Sequence, residues 1–271
     1  GKACGRGRLP CVGAPAGAMR RHPKRWTSRC ATPVAARVRA RAAEVPFAWV
    51  SMVLVLPDRR GRGHAGRLLR VALDDLDREG RLPLLDATPA GRPVYLKAGF
   101  VDGWAFDRWR RKAGPGAFSP TEAGVAVRPL RVGDAGDWTR IEALDHPAFG
   151  ARRLPLLRSL AERAPQAAWI AEGGYLLGRE GRTALQLGPL VADDEAKAIA
   201  LLAAALDACA GVAAQRDVVV DLRDGCDAVA AWLRAQGFVT ERPFTRMVRG
   251  AGTKTPGDAR RVILVAGPEL G

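Results

Sequence analysis

The chain has 271 residues, 48% of them hydrophobic, which suits one large or two small globular domains and excludes a mostly disordered protein. No apolar run approaches the roughly 18 residues that a membrane-spanning helix requires. The formal charge of +15 invites a nucleic-acid reading, but it is unevenly spread: residues 1–45 hold eleven of the 43 basic residues and one of the 28 acids, Glu44.

Residues 1–45 are rich in Gly, Pro, Arg and Ala and show no sustained period of 2 or 3.6. A basic nucleic-acid arm, an Arg-rich transit peptide and a solvated tail all fit that composition. The preferred reading is that this segment is not the native start of the domain that follows. Five cysteines (Cys4, Cys11, Cys30, Cys209, Cys226) form no CxxC pair, and His22, His64 and His146 lie far apart. Neither a disulfide framework nor a metal site is expected, and a cytoplasmic setting is the default.

Order begins at Pro46. The apolar, β-branched run 47–56 reads as a buried strand, stopped by Pro57 and Asp58. Arg59-Arg60-Gly61-Arg62-Gly63-His64-Ala65-Gly66 follows as a loop. Then Ala65, Leu68, Leu69, Ala72, Leu73 and Leu76 fall on one face of a helix ended by Gly80. A helix start offers unpaired N–H groups and partial positive charge, and glycines let a phosphate approach the backbone. The loop is therefore read as a seat for a phosphorylated cofactor. Gly61, Gly63 and Gly66 also match the dinucleotide fingerprint, with Asp86 twenty residues further on. Against an NAD reading, residues 57–60 separate the strand from the first glycine, and no series of parallel βαβ units follows.

Beyond the helix come a strand at 83–86, a loop at 87–92 and a short helix ending in Gly99-Phe100. These features resemble the GNAT acetyltransferase superfamily. Its Arg/Gln-x-x-Gly-x-Gly/Ala motif is matched by residues 60–65, after a strand ending in Val55-Leu56-Pro57. The resemblance covers about residues 47–112. It implies acetyl-CoA as co-substrate, with the backbone of Arg60, Gly61, Arg62, Gly63, His64, Ala65 and Gly66 cradling the pyrophosphate. Leu54 and Val55 would lie beside the pantetheine arm, and Thr88 could bond it. Tyr95, four residues before Gly99, is the candidate acid for the departing thiolate; packing the helix on the sheet is its alternative role. Asp58 and Asp86 are nominal bases, and neither is assigned. Only 46 residues precede the strand, so the cofactor half is read as present and the acceptor half as incomplete.

The end of this unit recurs. Residues 99–114 align without gaps on 237–252 with half the positions identical, and 82–86 resembles 217–221, each ending in Asp. The expected organisation is a partial unit at 46–112, a Gly- and Pro-rich linker at 113–124, a second unit at 125–250 and a tail at 251–271. In the second unit a first strand is expected at 125–130, helices at 133–144 and 154–163, and strands at 167–172, 174–180 and 184–191. A helix at 194–211 follows, then a further strand and helix. Residues 188–195 lack the arginine and paired glycines and place Asp193, Asp194 and Glu195 where a pyrophosphate would sit. Leu233 falls opposite Tyr95. This unit resembles the degenerate second domain of bacterial tandem GNAT proteins. The tryptophans 104, 109, 138, 169 and 232 are read as core and interdomain aromatics. Residues 262–266 are an apolar run without a readable role.

The expected fold is thus α/β, with a mixed sheet, in tandem. The expected function is acetyl-CoA-dependent transfer to an amine acceptor, a small molecule or a protein, with no membrane or nucleic-acid partner. An impaired CoA-binding module of the same fold is the alternative, and an NAD(P)-dependent oxidoreductase is a third.

Overall fold

The computed structural model describes residues 47–114, 124–250 and 254–271 in full, and residues 24–27 and 34–39 through their backbone. Most of the residues behind the arm, transit-peptide and non-native-start readings of 1–45, and of the linker 113–124, lie outside those described. Within the described residues the chain forms β1 (Lys24–Thr27), β2 (Val34–Arg39), β3 (Phe47–Val55), α1 (His64–Arg78), β4 (Leu82–Ala87), α2 (Arg92–Lys97) and β5 (Val101–Arg111). A second run follows: β6 (Val127–Pro129), α3 (Ala135–Phe149), α4 (Leu154–Arg163), β7 (Trp169–Ala171), β8 (Gly174–Glu180) and β9 (Ala184–Ala192). It continues with α5 (Glu195–Ala208), α6 (Ala210–Gln215), β10 (Asp217–Arg223), α7 (Asp227–Ala235), β11 (Val239–Val248) and β12 (Val262–Leu264). Among these residues no helix is long and apolar enough to cross a membrane.

Local pattern explains most of these elements. Helix α1 buries Leu68, Leu69, Ala72, Leu73 and Leu76 on one face, each leucine contributing roughly 1.5–3 kcal/mol. Its partners are Ala48 and Val50 of β3, Leu85 and Ala87 of β4, and Phe100. Helix α3 starts at Asp134, whose side chain accepts from the Asp137 N–H, and ends in left-handed Gly150. It runs five residues past the expected end, through Pro147. The expected helix 194–211 is broken at Cys209 into α5 and α6.

The strands form one mixed sheet ordered β1-β2-β3-β4-β11-β5-β10-β12-β9-β8-β7-β6. The two units have exchanged their last strands. β11, from the second unit, lies between β4 and β5; β5, from the first, lies between β11 and β10. The exchanged strands are the repeated segments, and they pair antiparallel about Phe106 and Phe244, which are equivalent in the repeat. Their rings stack with centroids 5.0 Å apart and planes 11° apart, marking a local pseudo-two-fold axis. On either side of it run two ion pairs between the units. Arg246 of β11 donates to Asp86 of β4, and Arg108 of β5 donates to Asp221 of β10.

The run 262–266 proves to be part of the sheet. Strand β12 enters between β9 and β10, pairing antiparallel with both, and residues 262–266 are buried.

Candidate active site

The first unit's sheet is forked. β3 and β4 run parallel and pair at Phe47↔Leu82, Ala48↔Pro83 and Trp49↔Leu84. Past Trp49 they diverge, while β3 continues to Val55 and β4 to Ala87. The divergence coincides with a register shift between β3 and β2 and with Met52, a non-glycine residue at φ +59°. A bulge of this kind bends a strand and re-aims its side chains. Beyond it Leu54 is 56% exposed, although the first five residues of β3 are buried.

At the mouth of the fork lies the glycine loop. Residues Pro57–Arg59 make one 3-10 turn, the Arg60 guanidinium donates from Nε to the Val55 carbonyl at 3.2 Å, and α1 begins at His64. Gly61 and Gly63 both take φ +75°, a conformation glycine adopts without strain. Gly63 is the helix cap and supplies no side chain, so the first N–H groups of α1 face outward without a capping oxygen. A Cβ at Gly61, Gly63 or Gly66 would meet nothing within 4 Å; the space above the loop is open. Arg59, Arg60, Arg62, Arg67 and Arg70 are exposed around it, and the first turn of α1 holds no acid. The donor set fits a pyrophosphate.

Leu54, Val55 and residues 60–66 are thus contiguous along the fork's outer edge. Thr88 and Tyr95 come from the opposite lip, past the end of β4. The Thr88 Oγ1 accepts from the Gly91 N–H at 3.2 Å, a local turn bond at the start of α2. Tyr95 is half-buried, edge-on to Phe100 at 6.0 Å, and packs on the same apolar cluster as Val53 of β3. Burial pushes its phenol above the ordinary value, which keeps it protonated. Asp58 is exposed and pairs with Arg59. The Asp86 carboxylate is fully buried, and Arg246 holds both its oxygens at 2.9 and 3.0 Å. Away from β3, β4 is flanked by the antiparallel β11, not by a further parallel βαβ unit.

The second unit has the same fork with a different occupant. β9 and β10 pair in parallel from Asp217↔Ala184 to Val220↔Leu187, then part. β12 fills the gap: Leu264 pairs with both Leu222 and Leu190, and the Val265 N–H donates to the Asp221 carbonyl at 2.9 Å. Gly188 is required there, because a Cβ would meet the Val265 carbonyl oxygen at 2.3 Å. At the start of α5, Asp194 caps the helix and pairs with Lys197, and Asp193 pairs with Arg261, so acids and not glycines occupy this helix start. Leu233, in the position equivalent to Tyr95, is fully buried.

Sequence reasoning missed Arg246, Trp49 and the strand at 262–264. The repeat held a signal for the first: Arg108 aligns with Arg246, and Asp86 with Asp221, but nothing local says that the pairs cross.

Comparison with known proteins finds one family twice along the chain. Family models described as acetyltransferase (GNAT) domain match residues 30–101 and 141–263. Among curated proteins none matches. A solved structure from Pyrococcus horikoshii, assigned to the acetyltransferases, is similar at a TM-score of 0.68 and 19% identity, over 88% of this chain and 76% of that one. A GCN5-related N-acetyltransferase from Sphaerobacter thermophilus gives 0.57 and 17%, over 83% and 78%. A tandem GNAT protein from the clavulanic acid biosynthesis pathway gives 0.55 and 18%, over 82% and 80%.

Proposed function

The chain belongs to the GNAT acetyltransferase superfamily and carries its fold twice, and from that premise we propose that its first unit binds acetyl-CoA and transfers the acetyl group directly to an amine. The observation that carries this is the open fork beside an uncapped, arginine-ringed helix start. The other fork shows what such a gap accommodates, for there an extended chain lies between the strands. In the first unit the same place suits the pantetheine arm. The pyrophosphate would lie on the N–H groups of residues 60–66 and among their arginines, where charge-assisted bonds are strongest.

The chemistry asks little more of the protein. A neutral amine attacks the thioester carbonyl carbon; the C–N bond forms, the C–S bond breaks, and the thiolate leaves with the bonding pair. The β3 backbone beside Leu54 and Val55 would stabilise the oxyanion. Tyr95, kept protonated by burial, would give the thiolate its proton, and the amine's proton passes to water or to an acceptor group. The second unit does not bind a second acetyl-CoA, because β12 fills its fork and acids occupy its helix start.

Calorimetric titration with acetyl-CoA, with NAD as control, tests this reading. We expect one acetyl-CoA per chain, lost in R60A or G63D, and release of free CoA thiol when amines are supplied. Binding of acetyl-CoA without thiol release across an amine panel would favour the impaired CoA-binding module. Tight NAD binding, or no acetyl-CoA binding by a folded chain, would overturn the proposal.

A further inference from the structure

We propose that Arg246, contributed by the second unit, is a positioning residue that sets the opening of the first unit's fork. The inference rests on the acetyl-CoA reading above and extends it to a residue outside the first unit.

The geometry is compact. Trp49 and Leu84 are the last partners before β3 and β4 diverge. The Arg246 guanidinium carbon lies 4.5 Å from the ring centroid of Trp49, on the β3 lip. The same guanidinium donates from Nε and Nη2 to the two oxygens of Asp86, two residues past Leu84 on the β4 lip. Trp104 of β5 flanks it at 4.2 Å. A single planar cation therefore touches both lips at the root of the fork. The Arg246 and Asp86 side chains are 6% and 0% exposed, so water competes little for either contact. Guanidinium suits this place because its plane stacks on an indole while its edge grips a carboxylate; an ammonium cannot do both.

The second fork supplies the contrast. There Gln186 of β9, the counterpart of Trp49, donates directly to Asp221 at 2.8 Å, tying lip to lip. Arg108 grips the same carboxylate from β5. The first fork has no such tie between Trp49 and Asp86; Arg246 stands between them. The two arginines are equivalent in the repeat and their carboxylates are similarly buried. Only Arg246 sits at the fork that is open.

That equivalence provides the test. Arg246→Gln and Arg108→Gln are compared in the full chain, with Arg246→Lys as the conservative variant. Two probes are titrated: acetyl-CoA, and 3′-phosphoadenosine 5′-diphosphate, which has the pyrophosphate but no pantetheine arm. Both Gln variants are expected to lower Tm to a similar degree. R246Q is expected to weaken acetyl-CoA binding about tenfold or more, because the two lips along the pantetheine arm are no longer held together, while the fragment binds within about twofold of wild type. R108Q is expected to bind both probes within twofold of wild type, and R246K to fall between R246Q and wild type. Equal losses in R246Q and R108Q, parallel loss of both probes in R246Q, or an R246Q chain that binds acetyl-CoA normally would each overturn the proposal. Should R246Q fail to fold, R246K against Arg108→Lys carries the same comparison. Failure of the wild-type chain to bind acetyl-CoA would instead defeat the underlying function.

Discussion

The glycine loop works through what its residues lack. Gly63 caps α1 without a side chain and Gly61 turns the chain at positive φ, so the backbone donors stay open. An Asp at position 63 would place a carboxylate at the seat proposed for a pyrophosphate and strain a left-handed residue, which is why G63D is expected to abolish acetyl-CoA binding. Tyr95→Phe separates packing from chemistry. The ring contact with Phe100 survives, so binding is expected to hold while turnover falls roughly 100-fold, read as the rate of CoA thiol release. The thiols of Cys209 and Cys226 are buried and pushed up to about 11 by that burial. Neither is expected to react with a thiol reagent at pH 8 until the chain is denatured, as thiol titration with and without denaturant would show. The loop was legible in the sequence because every group in it is local. The role of Asp86 was not: it is fixed by an arginine 160 positions away.

Among the elements, β12 changes the reading most. The strand is only three residues long, too short to identify from pattern. The fork it enters supplies the hydrogen bonds that make it a strand. Leu264 is fully buried between Leu190 and Leu222. Leu264→Ala is expected to cost about 2–5 kcal/mol in urea unfolding and to leave the stoichiometry of acetyl-CoA at one. At the start of α3, Asp137 accepts from Arg128 and Arg131 and from the Arg131 N–H. The Arg128 hydrogen bond, chiefly, holds its carboxyl far below the ordinary 3.8. A carboxylate depressed on folding contributes stability above its unfolded value and loses it as the pH falls towards the folded one. Asp137→Asn is therefore expected to be less stable than wild type near neutral pH, with the difference shrinking below about pH 4, as denaturation followed across pH would show.

For the whole molecule, strand exchange makes the two units one cooperative body. β5 completes the sheet of the second unit, β11 completes that of the first, and the Arg108–Asp221 and Arg246–Asp86 pairs join them through fully buried carboxylates. Burying such pairs adds little net stability, but breaking one leaves an uncompensated charge at a cost of about 3–5 kcal/mol. Calorimetry is expected to show one unfolding transition, not two. A chain ending at residue 112 is expected not to fold, because β4 would lose its β11 neighbour and β5 both of its own. Two separate transitions, or a folded fragment, would show that the exchange is dispensable.

Short-range pattern was enough to place most of the elements. Helical and strand periods, the glycine loop and the repeat are short-range properties, and they placed α1, α4 and β8 nearly to the residue. The same reading marked the second unit's helix start as hostile to phosphate, because Asp193 and Asp194 are adjacent in the chain. Which strand lies beside which is set by long-range contacts. A repeated strand has two equivalent places to pair, and its own residues do not distinguish them. The choice depends on contacts across more than a hundred positions: Arg246 with Asp86, Arg108 with Asp221, Phe106 with Phe244. The same holds for the two forks. One is open and the other filled because residues 262–264 lie within reach of β9 and β10, a fact of spatial proximity that no local pattern encodes.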